Sequence, residues 1–272
     1  MTFLSPPHSA GGGRHVNNNH VSKWFLPYTA LGSKLRIKRI NMSVYTISDL
    51  HLSLSDQNKS MDIFKGWENY IQRIHDNWIK NVLPEDTVVI IGDVSWAMKL
   101  EDTKKDFEFL HNLPGKKILI KGNHDFWWSG ITKINNFLKK NNFGSIIPLL
   151  NDCILCENLY ICGSRGWILN PQKDTDQKIL LREIGRLRTS IKKADNCNNL
   201  EKVVFTHYPP IFSNVFNHQI LDVLIENNIK RCYYGHVHGS GFHKNIIEGL
   251  YSNVYFKLVS CDYLNFTPIV IN

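Results

Sequence analysis

Two features that would place a protein in a special class are missing from this 272-residue chain. No apolar run approaches the roughly 20 residues that a membrane-spanning helix needs. A dense cysteine framework is also missing, because the cysteines are few and scattered. They are Cys153, Cys156, Cys162, Cys197, Cys232 and Cys261. We therefore predict buried thiols in a reducing compartment, a cytoplasmic location and no membrane partner.

Cys153 and Cys156 have the spacing of a zinc knuckle. A structural zinc site of this kind needs a second ligand pair, and the sequence contains no other C-x-x-C motif. The residues between the two cysteines, Ile154 and Leu155, fit the core of a strand. We therefore expect no structural zinc here.

The first 41 residues lack acidic side chains altogether and contain a triple glycine and a triple asparagine. A strand-like pattern begins directly after Met42. We expect residues 1–41 to be a disordered extension, or a region upstream of a true start at Met42, and residues 42–272 to form the domain. Two alternatives stay open. One is a targeting peptide, although its apolar stretch 24–31 is short and contains Pro27; the other is a basic arm that contacts polyanions.

The formal charge of +8 does not describe the domain. Six of the 32 basic side chains lie in residues 1–41, which leaves 26 basic against 24 acidic side chains. A body this close to neutral lacks the basic footprint of a dedicated nucleic-acid-binding protein. Short acidic, single-stranded or small phosphorylated ligands stay open. The oligomeric state is not predicted by the sequence.

Short apolar stretches bounded by Gly, Asn or charge predict ten strands. They are Val44–Ser48, Thr87–Ile91, Lys117–Lys121, Ile146–Leu150, Cys153–Glu157, Leu159–Gly163, Lys202–Thr206, Arg231–Gly235, Ile246–Leu250 and Val254–Ser260. Helical periodicity predicts five helices between them. Their ranges are 61–82, 101–112, 130–141, 174–194 and 214–228.

Strands and helices alternate through the first 140 residues, which predicts βαβ units and a partly parallel sheet. The second half has more strands in succession. There, 146–163 and 246–260 are each expected to form consecutive antiparallel strands. The pattern predicts an α/β fold in which two facing mixed sheets have helices outside.

Five clusters of His, Asp and Asn each follow a predicted strand. They are, in chain order, Asp49-Leu50-His51, Gly92-Asp93, Gly122-Asn123-His124-Asp125, His207 and Gly235-His236-Val237-His238. Each is therefore expected on a loop at the carboxyl end of its strand. Together they offer enough oxygen and imidazole ligands for two metal ions. Dinuclear sites of this kind commonly hydrolyse esters of phosphorus.

The spacing within the clusters supports a shared site. In extended backbone, residues i and i+2 point the same way, so Asp49 and His51 are expected to reach the same cation. His236 and His238 have the same spacing. Gly92 and Gly235 permit close backbone approach or a positive φ. Each cluster alone has a structural explanation, such as a turn cap or a packed loop histidine, but five in this order do not.

The motif series D-x-H, G-D, G-N-H-D, H and G-H-x-H resembles that of the calcineurin-like metallophosphoesterases. The resemblance extends from about Met42 to the C-terminus and implies a four-layer αββα sandwich of two mixed β-sheets flanked by helices. It also implies two divalent metal ions. Their expected ligands are Asp49, His51 and His238 for the first ion, and Asn123, His207 and His236 for the second. Asp93 is expected to bridge the two ions.

The resemblance further implies attack on phosphorus by a metal-bound hydroxide. His124 is expected to donate a proton or a hydrogen bond to the leaving group. Asp125 is expected to hold the loop of Asn123 and His124, or to orient an imidazole. Carboxylate, amide and imidazole ligands without a thiolate suit Mn, Fe, Co, Ni or Zn, and manganese is the first expectation.

The series departs from that of the protein Ser/Thr phosphatases, which carry Asp and Arg three and four residues after the bridging Asp. Trp96 and Ala97 occupy those positions here, which argues against phosphoprotein substrates. The stretches Ser48–Ser53, 163–167 and 206–210 resemble bacterial predicted phosphohydrolases of the superfamily. The prediction is a phosphomonoesterase or phosphodiesterase; a single-strand nuclease and a non-catalytic scaffold of the same fold are the alternatives.

Residues outside the motifs are less informative. Arg165 is a candidate to bind a phosphate oxygen and Trp167 to stack a base, although a surface arginine and a core tryptophan explain them equally well. The basic helix 174–194 is more simply a solvated face than a cap over the site. The remaining histidines of the domain, His75, His111, His218 and His243, lack ligand spacing, and only His243 follows a motif closely enough to suggest a peripheral substrate contact.

Overall fold

The computed structural model describes residues 42–167, 173–195 and 200–272. The predictions for residues 1–41 and for Cys197 lie outside these residues. The other five cysteines are free thiols, of which Cys162, Cys232 and Cys261 are buried, as predicted, whereas Cys153 and Cys156 are only half-buried. Within the described ranges, no helix combines the length and apolarity needed to cross a membrane.

The described part of the chain contains thirteen strands and five α-helices. The strands are β1 (Val44–Ile47), β2 (Thr87–Ile91), β3 (Lys116–Ile120), β4 (Ile146–Pro148), β5 (Cys153–Cys156), β6 (Leu159–Ser164), β7 (Glu201–Thr206), β8 (Ile211–Phe212), β9 (Val215–Phe216), β10 (Arg231–Tyr234), β11 (Gly249–Tyr251), β12 (Val254–Leu258) and β13 (Ile269–Val270). The helices are α1 (Tyr70–Asn81), α2 (Lys104–Asn112), α3 (Ile131–Lys140), α4 (Asp174–Asp195) and α5 (His218–Glu226).

The strands form two large mixed sheets. The first has the order β13-β1-β2-β3-β4, in which β1 to β4 are parallel and β13 is antiparallel to β1. The second has the order β11-β12-β10-β7-β6-β5, with four parallel central strands and an antiparallel strand at each edge. A short β8-β9 hairpin stands apart from both.

Three apolar clusters separate four layers. In the first, Tyr70, Ile74 and Trp78 on one face of α1 pack with α2, α3 and the outer side of the first sheet. In the second, α4 and α5 cover the outer side of the other sheet. In the third, the inward side chains of the two sheets meet, among them Ile118 and Phe205. This is the α/β sandwich of two mixed sheets between helices that the sequence predicted.

Helix boundaries differ from the prediction where turns precede the helix. Helix α1 begins at Tyr70 rather than at residue 61, because the chain before it forms short 3-10 turns and Asn69 is left-handed at φ 53°. Helix α5 begins at His218, where the Asn217 side chain accepts from the Ile220 N–H and caps it. The residues just before Asn217 form the β8-β9 hairpin instead.

The prediction that 146–163 forms consecutive antiparallel strands was wrong at its first member. Strand β4 pairs in parallel with β3 in the first sheet, whereas β5 and β6 pair antiparallel in the second. The chain changes sheets at a turn in which Asn151 is left-handed at φ 52°. The predicted pairing within 246–260 was correct, although β11 begins at Gly249 rather than at Ile246.

Candidate metal centre

The five clusters meet at one edge of the sandwich, beyond the carboxyl ends of β1, β2, β3, β7 and β10. The two sheets are tied together at this edge: Ser48 forms a parallel bridge with Ser260, and the Ser48 N–H donates to the Val259 carbonyl at 2.8 Å. Side chains from both sheets therefore face one small volume. The carboxylates and imidazoles in it are almost completely buried, except the imidazole of His124, which is partly buried.

The backbone at this edge is not extended, contrary to the expectation from the D-x-H spacing. Asp49, His51, Asp93 and His236 are all left-handed, with φ between 46° and 69°. Such a conformation costs a non-glycine residue of order 1–3 kcal/mol. Hydrogen bonds between the loops hold it, including His51 N–H to the Asp93 carbonyl at 2.9 Å. The side chains converge because of these turns and not because of strand alternation.

Two glycines allow the loops to approach. Gly92 has φ +82°, and a Cβ placed on it would lie 2.6 Å from both the Gly122 Cα and the His207 Nδ1. A Cβ on Gly235 would lie 2.0 Å from the Ser48 Oγ and 2.8 Å from Asp49 Oδ2. A side chain at either position would displace the groups that form the site.

The first group of candidate ligands is Asp49, His51 and His238, whose ligand atoms all lie within 4.8 Å of one another. Both ring nitrogens of His51 and the Nδ1 of His238 are buried without a hydrogen-bond partner among the described residues. Such groups are costly unless a ligand satisfies them. Asp49 is held in place by the His236 N–H at 2.9 Å and the Ser260 hydroxyl at 2.8 Å, both of which donate to Oδ2.

The second group is Asp93, His207 and His236, again within 4.8 Å of one another. The His207 Nδ1 lies 2.9 Å from the Ile91 carbonyl, which favours a proton on that nitrogen and leaves Nε2 as the ligand atom. Nε2 lies 2.7 Å from the Asn123 Oδ1. The amide oxygen and the imidazole nitrogen therefore face the same point, as two ligands of one cation do.

Asp93 stands between the two groups. Its Oδ2 lies 3.8 Å from His51 Nε2 and 3.5 Å from His207 Nε2, and it makes no hydrogen bond within the described residues. Its Oδ1 accepts from the His124 N–H at 2.8 Å. One carboxylate thus reaches both ligand groups, which is the arrangement expected of a bridging ligand. The donor set fits two divalent cations and, without a thiolate, does not select among the metals considered above.

Burial and neighbouring charges shift the pKa values of the groups in the centre. Burial raises the pKa of Asp49 to about 7. Burial also acts on His207, but the carboxylates of Asp93 and Asp49 outweigh it and raise the pKa of His207 to about 9. Burial lowers the pKa of His51 and of His236 well below the usual value. The neutral imidazoles are ready to bind a cation, whereas the proton on His207 must leave when one binds.

Asp125 is a clamp between loops. Its carboxylate accepts from the backbone N–H groups of Asp93 at 2.9 Å and Gly122 at 2.8 Å, from Val94 at 2.9 Å, and from the indole N–H of Trp127 at 3.0 Å. These contacts favour the loop-holding role among the two predicted for it. They do not place Asp125 against a reacting atom.

Aromatic rings form one wall of the centre, and the sequence did not reveal them. The Trp96 ring stacks on His51 with centroids 4.6 Å apart and lies 4.5 Å from the ring of His124. Trp67 lies 6.0 Å from both His51 and His238. His124 is only partly buried beside the exposed Phe126. It therefore lies toward the open side of the centre.

Arg165 and Trp167 lie next to the centre but contact each other first. The Arg165 guanidinium sits 4.2 Å from the centre of the Trp167 ring, and that ring lies 5.5 Å from Tyr208. Tyr208 in turn packs on His236 with centroids 4.0 Å apart. The pair therefore borders the metal centre through one aromatic ring. Whether either residue binds substrate stays a prediction.

The other histidines make ordinary contacts. His75 pairs with Asp76 at 2.9 Å, His111 lies 2.9 Å from the Ser145 hydroxyl, and His218 stacks on Phe216. His243 lies 3.5 Å from Asp262, whose carboxylate also accepts from the Gly239 N–H at 2.6 Å. His243 is thus connected to the loop that follows His238, which leaves the peripheral contact open as a prediction.

A cavity of about 480 Å³ lies away from the metal centre. It is lined by Met42, Glu201 and Arg231 at the amino-terminal edge of the strands. Arg231 is already paired there with Glu201 at 2.7 Å. None of the candidate ligands lines this cavity, so size alone does not indicate the functional site.

Comparison with known proteins identifies the class to which this fold and site belong. The calcineurin-like phosphoesterase family matches residues 42–240, and the chain belongs to that family. No curated protein matches the chain.

Two solved structures are similar in fold. A protein of unknown function from Aquifex aeolicus is 21% identical with a TM-score of 0.46, and the match covers 85% of this chain and 96% of that one. A phosphopantetheinyl hydrolase from Mycobacterium tuberculosis is 15% identical with a TM-score of 0.47, over 80% of this chain and 88% of that one. At these identities neither likeness bears on the substrate.

Proposed function

We propose that this protein is a dinuclear metal-dependent phosphohydrolase that cleaves a phosphomonoester or phosphodiester of a small molecule, nucleotides included. The observation that supports it most is the pair of buried ligand groups joined by Asp93, with ring nitrogens of His51 and His238 that have no partner among the described residues. A non-catalytic scaffold has no need to keep such costly groups.

The chain's own residues have distinct roles in this proposal. Two divalent cations bound by the two groups would supply a water of lowered pKa and neutralise charge on the phosphoryl oxygens. Asp93 keeps the groups together, and its position is fixed by the Asp125 clamp and by the His124 N–H. Burial lowers the pKa of His124, so its imidazole is neutral near pH 7 and offers one N–H to the leaving oxygen.

Three finer points are also proposals. Manganese is proposed as the first cation to test, because the donor set is compatible with it as well as with Fe, Co, Ni and Zn. Arg165 is proposed to face a phosphate oxygen and Trp167 a substrate ring. The cytoplasm is proposed as the location, on the basis of the free thiols. The near-neutral domain gives the single-strand nuclease alternative no support.

Hydrolysis of bis(p-nitrophenyl) phosphate and of p-nitrophenyl phosphate, with added Mn²⁺, tests the proposal. Asp93→Asn should reduce kcat/KM at least ~10³-fold, because an amide offers one oxygen and no charge to two cations. Asp76→Asn, on an exposed face of α1, is the matched control and should leave kcat/KM unchanged. The preferred ester identifies the substrate class. Equal activity in wild type and Asp93→Asn, or wild-type protein that binds no metal, would refute the proposal.

A further inference from the structure

A second charged cluster lies beside the metal centre and has no part in the ligand groups. Its members are Lys121 before the Gly122-Asn123 loop, Arg165 after β6, and Glu183 and Arg186 on α4. Glu183 is 1% exposed, and its Oε1 pairs with Arg186 and lies 3.7 Å from the Arg165 Nη2. All four residues line one small cavity.

The cluster has an excess of positive charge. Three cationic side chains and a single carboxylate line the cavity. Lys121 is half-buried and the Arg165 side chain is 18% exposed. Burial lowers the pKa of Lys121, and the neighbouring Arg165 adds to this effect. A purely structural ion pair would be close to neutral, because unpaired buried charge is costly.

Two polar atoms of the cluster also lack hydrogen bonds. The Arg165 Nε and the Glu183 Oε2 are buried and have no hydrogen-bond partner among the described residues. The Arg165 Nε–H requires a hydrogen-bond acceptor, and the Glu183 Oε2 requires a hydrogen-bond donor. A phosphoryl group that retains one hydroxyl offers both, and so does a phosphoryl group accompanied by one water.

The cavity has the size of such a group. Its volume is about 50 Å³, and one ordered water needs roughly 10–15 Å³ of this kind of space. About three to five oxygen-sized positions therefore fit, which is room for one phosphoryl group. Besides the charged residues, Asn151 and Ser164 contribute polar lining.

The cluster is physically continuous with the metal centre. The Tyr208 N–H donates to the Arg165 carbonyl at 2.9 Å, and the Tyr208 ring packs on His236. Lys121 is two residues before Asn123 in the sequence. A molecule with one phosphoryl group on the metals thus has a second, anion-binding position within reach on the side of β6 and α4.

We propose that Lys121, Arg165 and Arg186, arranged around the buried Glu183, form a subsite for a second phosphoryl group, so that the substrate is a small molecule with two separate phosphates. This inference rests on the proposed phosphohydrolase function for the first phosphate. Arg165, predicted above to bind phosphate, thereby binds the phosphate that is not cleaved. Glu183 is a positioning residue, because its Oε1 attracts both the Arg165 and the Arg186 guanidinium groups and so holds them beside the cavity.

Matched substrates that differ by one phosphate test this subsite. We would measure kcat/KM for the p-nitrophenyl ester of thymidine monophosphate with and without a second phosphate on the other sugar hydroxyl. Adenosine bisphosphate and monophosphate serve the same purpose if the enzyme prefers monoesters. The subsite predicts that the second phosphate raises kcat/KM of the wild-type enzyme by at least tenfold.

Two variants on the same helix separate the subsite from general charge effects. Arg186→Gln, at a side chain 44% exposed, should remove most of the preference for the second phosphate. Arg188→Gln is the control: Arg188 pairs with Glu226 at 2.7 Å and does not line the cavity. It should retain the full preference. Equal ratios in all three proteins overturn the subsite, as does the absence of a preference in the wild type.

A binding measurement separates failure of the subsite from failure of the proposed function. Inorganic phosphate, which has the size of the proposed subsite, is titrated calorimetrically into the full-length, chelator-treated protein, in which hydrolysis does not occur. The subsite predicts binding that Arg186→Gln weakens at least tenfold and Arg188→Gln leaves intact. Binding of this kind supports the subsite even if no ester is hydrolysed. No binding to the wild type, or equal binding to all three proteins, overturns it.

Discussion

The two ends of strand β3 both bury charged groups, and they treat them in opposite ways. At the amino end, the fully buried Lys117 ammonium donates to the carbonyls of Leu113 and Gly115 and lies 3.3 Å from the Ser145 hydroxyl. Beyond the carboxyl end, the loop of Asn123 faces Asp93 and His51, which carry buried atoms without a hydrogen-bond partner among the described residues.

The difference separates structural from functional burial. A buried charge that has an acceptor for each of its protons stabilises the turns around it and leaves nothing for a ligand to satisfy. Unsatisfied nitrogens and oxygens, held by left-handed backbone and crowded glycines, are stable only if something else completes them. Satisfaction of hydrogen bonds, rather than burial or charge, therefore distinguishes the two ends of β3.

The largest expected effect comes from a substitution that removes a metal ligand beyond the carboxyl end of β3 and leaves the amino end unchanged. His51→Gln should lower kcat/KM by at least ~10³-fold and weaken metal binding by one to two orders of magnitude, because a ligand of the first group is lost. In chelator, its free energy of unfolding should stay within about 1 kcal/mol of wild type, since the ring nitrogens of His51 make no hydrogen bond. Metal content, activity and urea unfolding measure the three quantities.

The outcome for His51→Gln depends on the comparison with chelator. A large loss of stability without metal would mean that His51 holds the fold, and the distinction between the two ends of β3 would be lost.

The reciprocal substitution removes the buried ammonium group at the amino end of β3. Lys117→Met should reduce the free energy of unfolding by about 2–4 kcal/mol, since it leaves buried carbonyls of Leu113 and Gly115 without their donor. Metal affinity at 25 °C should be unchanged in the folded protein. Lys116→Met, at the exposed neighbouring position, is the matched control and should unfold like wild type. Loss of metal affinity in folded Lys117→Met would contradict the structural role.

A variant that adds a Cβ at a glycine of the site tests whether the loops need that glycine. Gly235→Ala should lower kcat/KM about 10²-fold, because its Cβ requires the space of Ser48 and displaces Asp49 by roughly an ångström. Gly144→Ala has no atom within 4 Å of the new Cβ and provides the control. Steady-state kinetics with saturating metal measures the effect. Near-wild-type activity of Gly235→Ala would show that the loop can yield.

The smallest expected effect is a pH dependence of metal binding. Below about pH 9 His207 carries a proton that a cation must displace, so affinity should fall about tenfold for each pH unit between 9 and 7. Below about pH 7 Asp49 also becomes protonated and the slope should steepen. Above pH 9 affinity should level off. Calorimetry in buffers of different ionisation enthalpy counts the released protons, and no release at pH 8 would contradict this assignment.

The sequence predicted the sandwich and the meeting of the five clusters, because strand ends and polar motifs are local features. It did not predict the left-handed turns at Asp49 and His51, which depend on hydrogen bonds to loops that are distant in sequence. The transfer of β4 to the first sheet was also missed. Periodicity gives the same pattern for either partner, and only the neighbouring β3 decides the pairing.

The sequence predicted even less about the residues that surround the site. Trp96 attracted notice only as a departure from the phosphatase pattern, whereas in the fold it stacks on His51. Glu183 lies on the helix 174–194, which was predicted to be a solvated face, and yet its side chain is only 1% exposed. Its burial follows from how α4 lies on β6, which helical periodicity alone does not fix.

The bridge between Ser48 and Ser260 has a consequence for the order of events during synthesis. Asp49 is held by a hydroxyl 211 residues later in the chain, and by a backbone N–H 187 residues later. A ribosome that has made strands β1 to β4 has therefore produced four of the seven candidate ligands without the contacts that orient Asp49. Metal capture in the arrangement described above must follow completion of the domain, so the ions stabilise a finished fold and do not act as a template for a growing one.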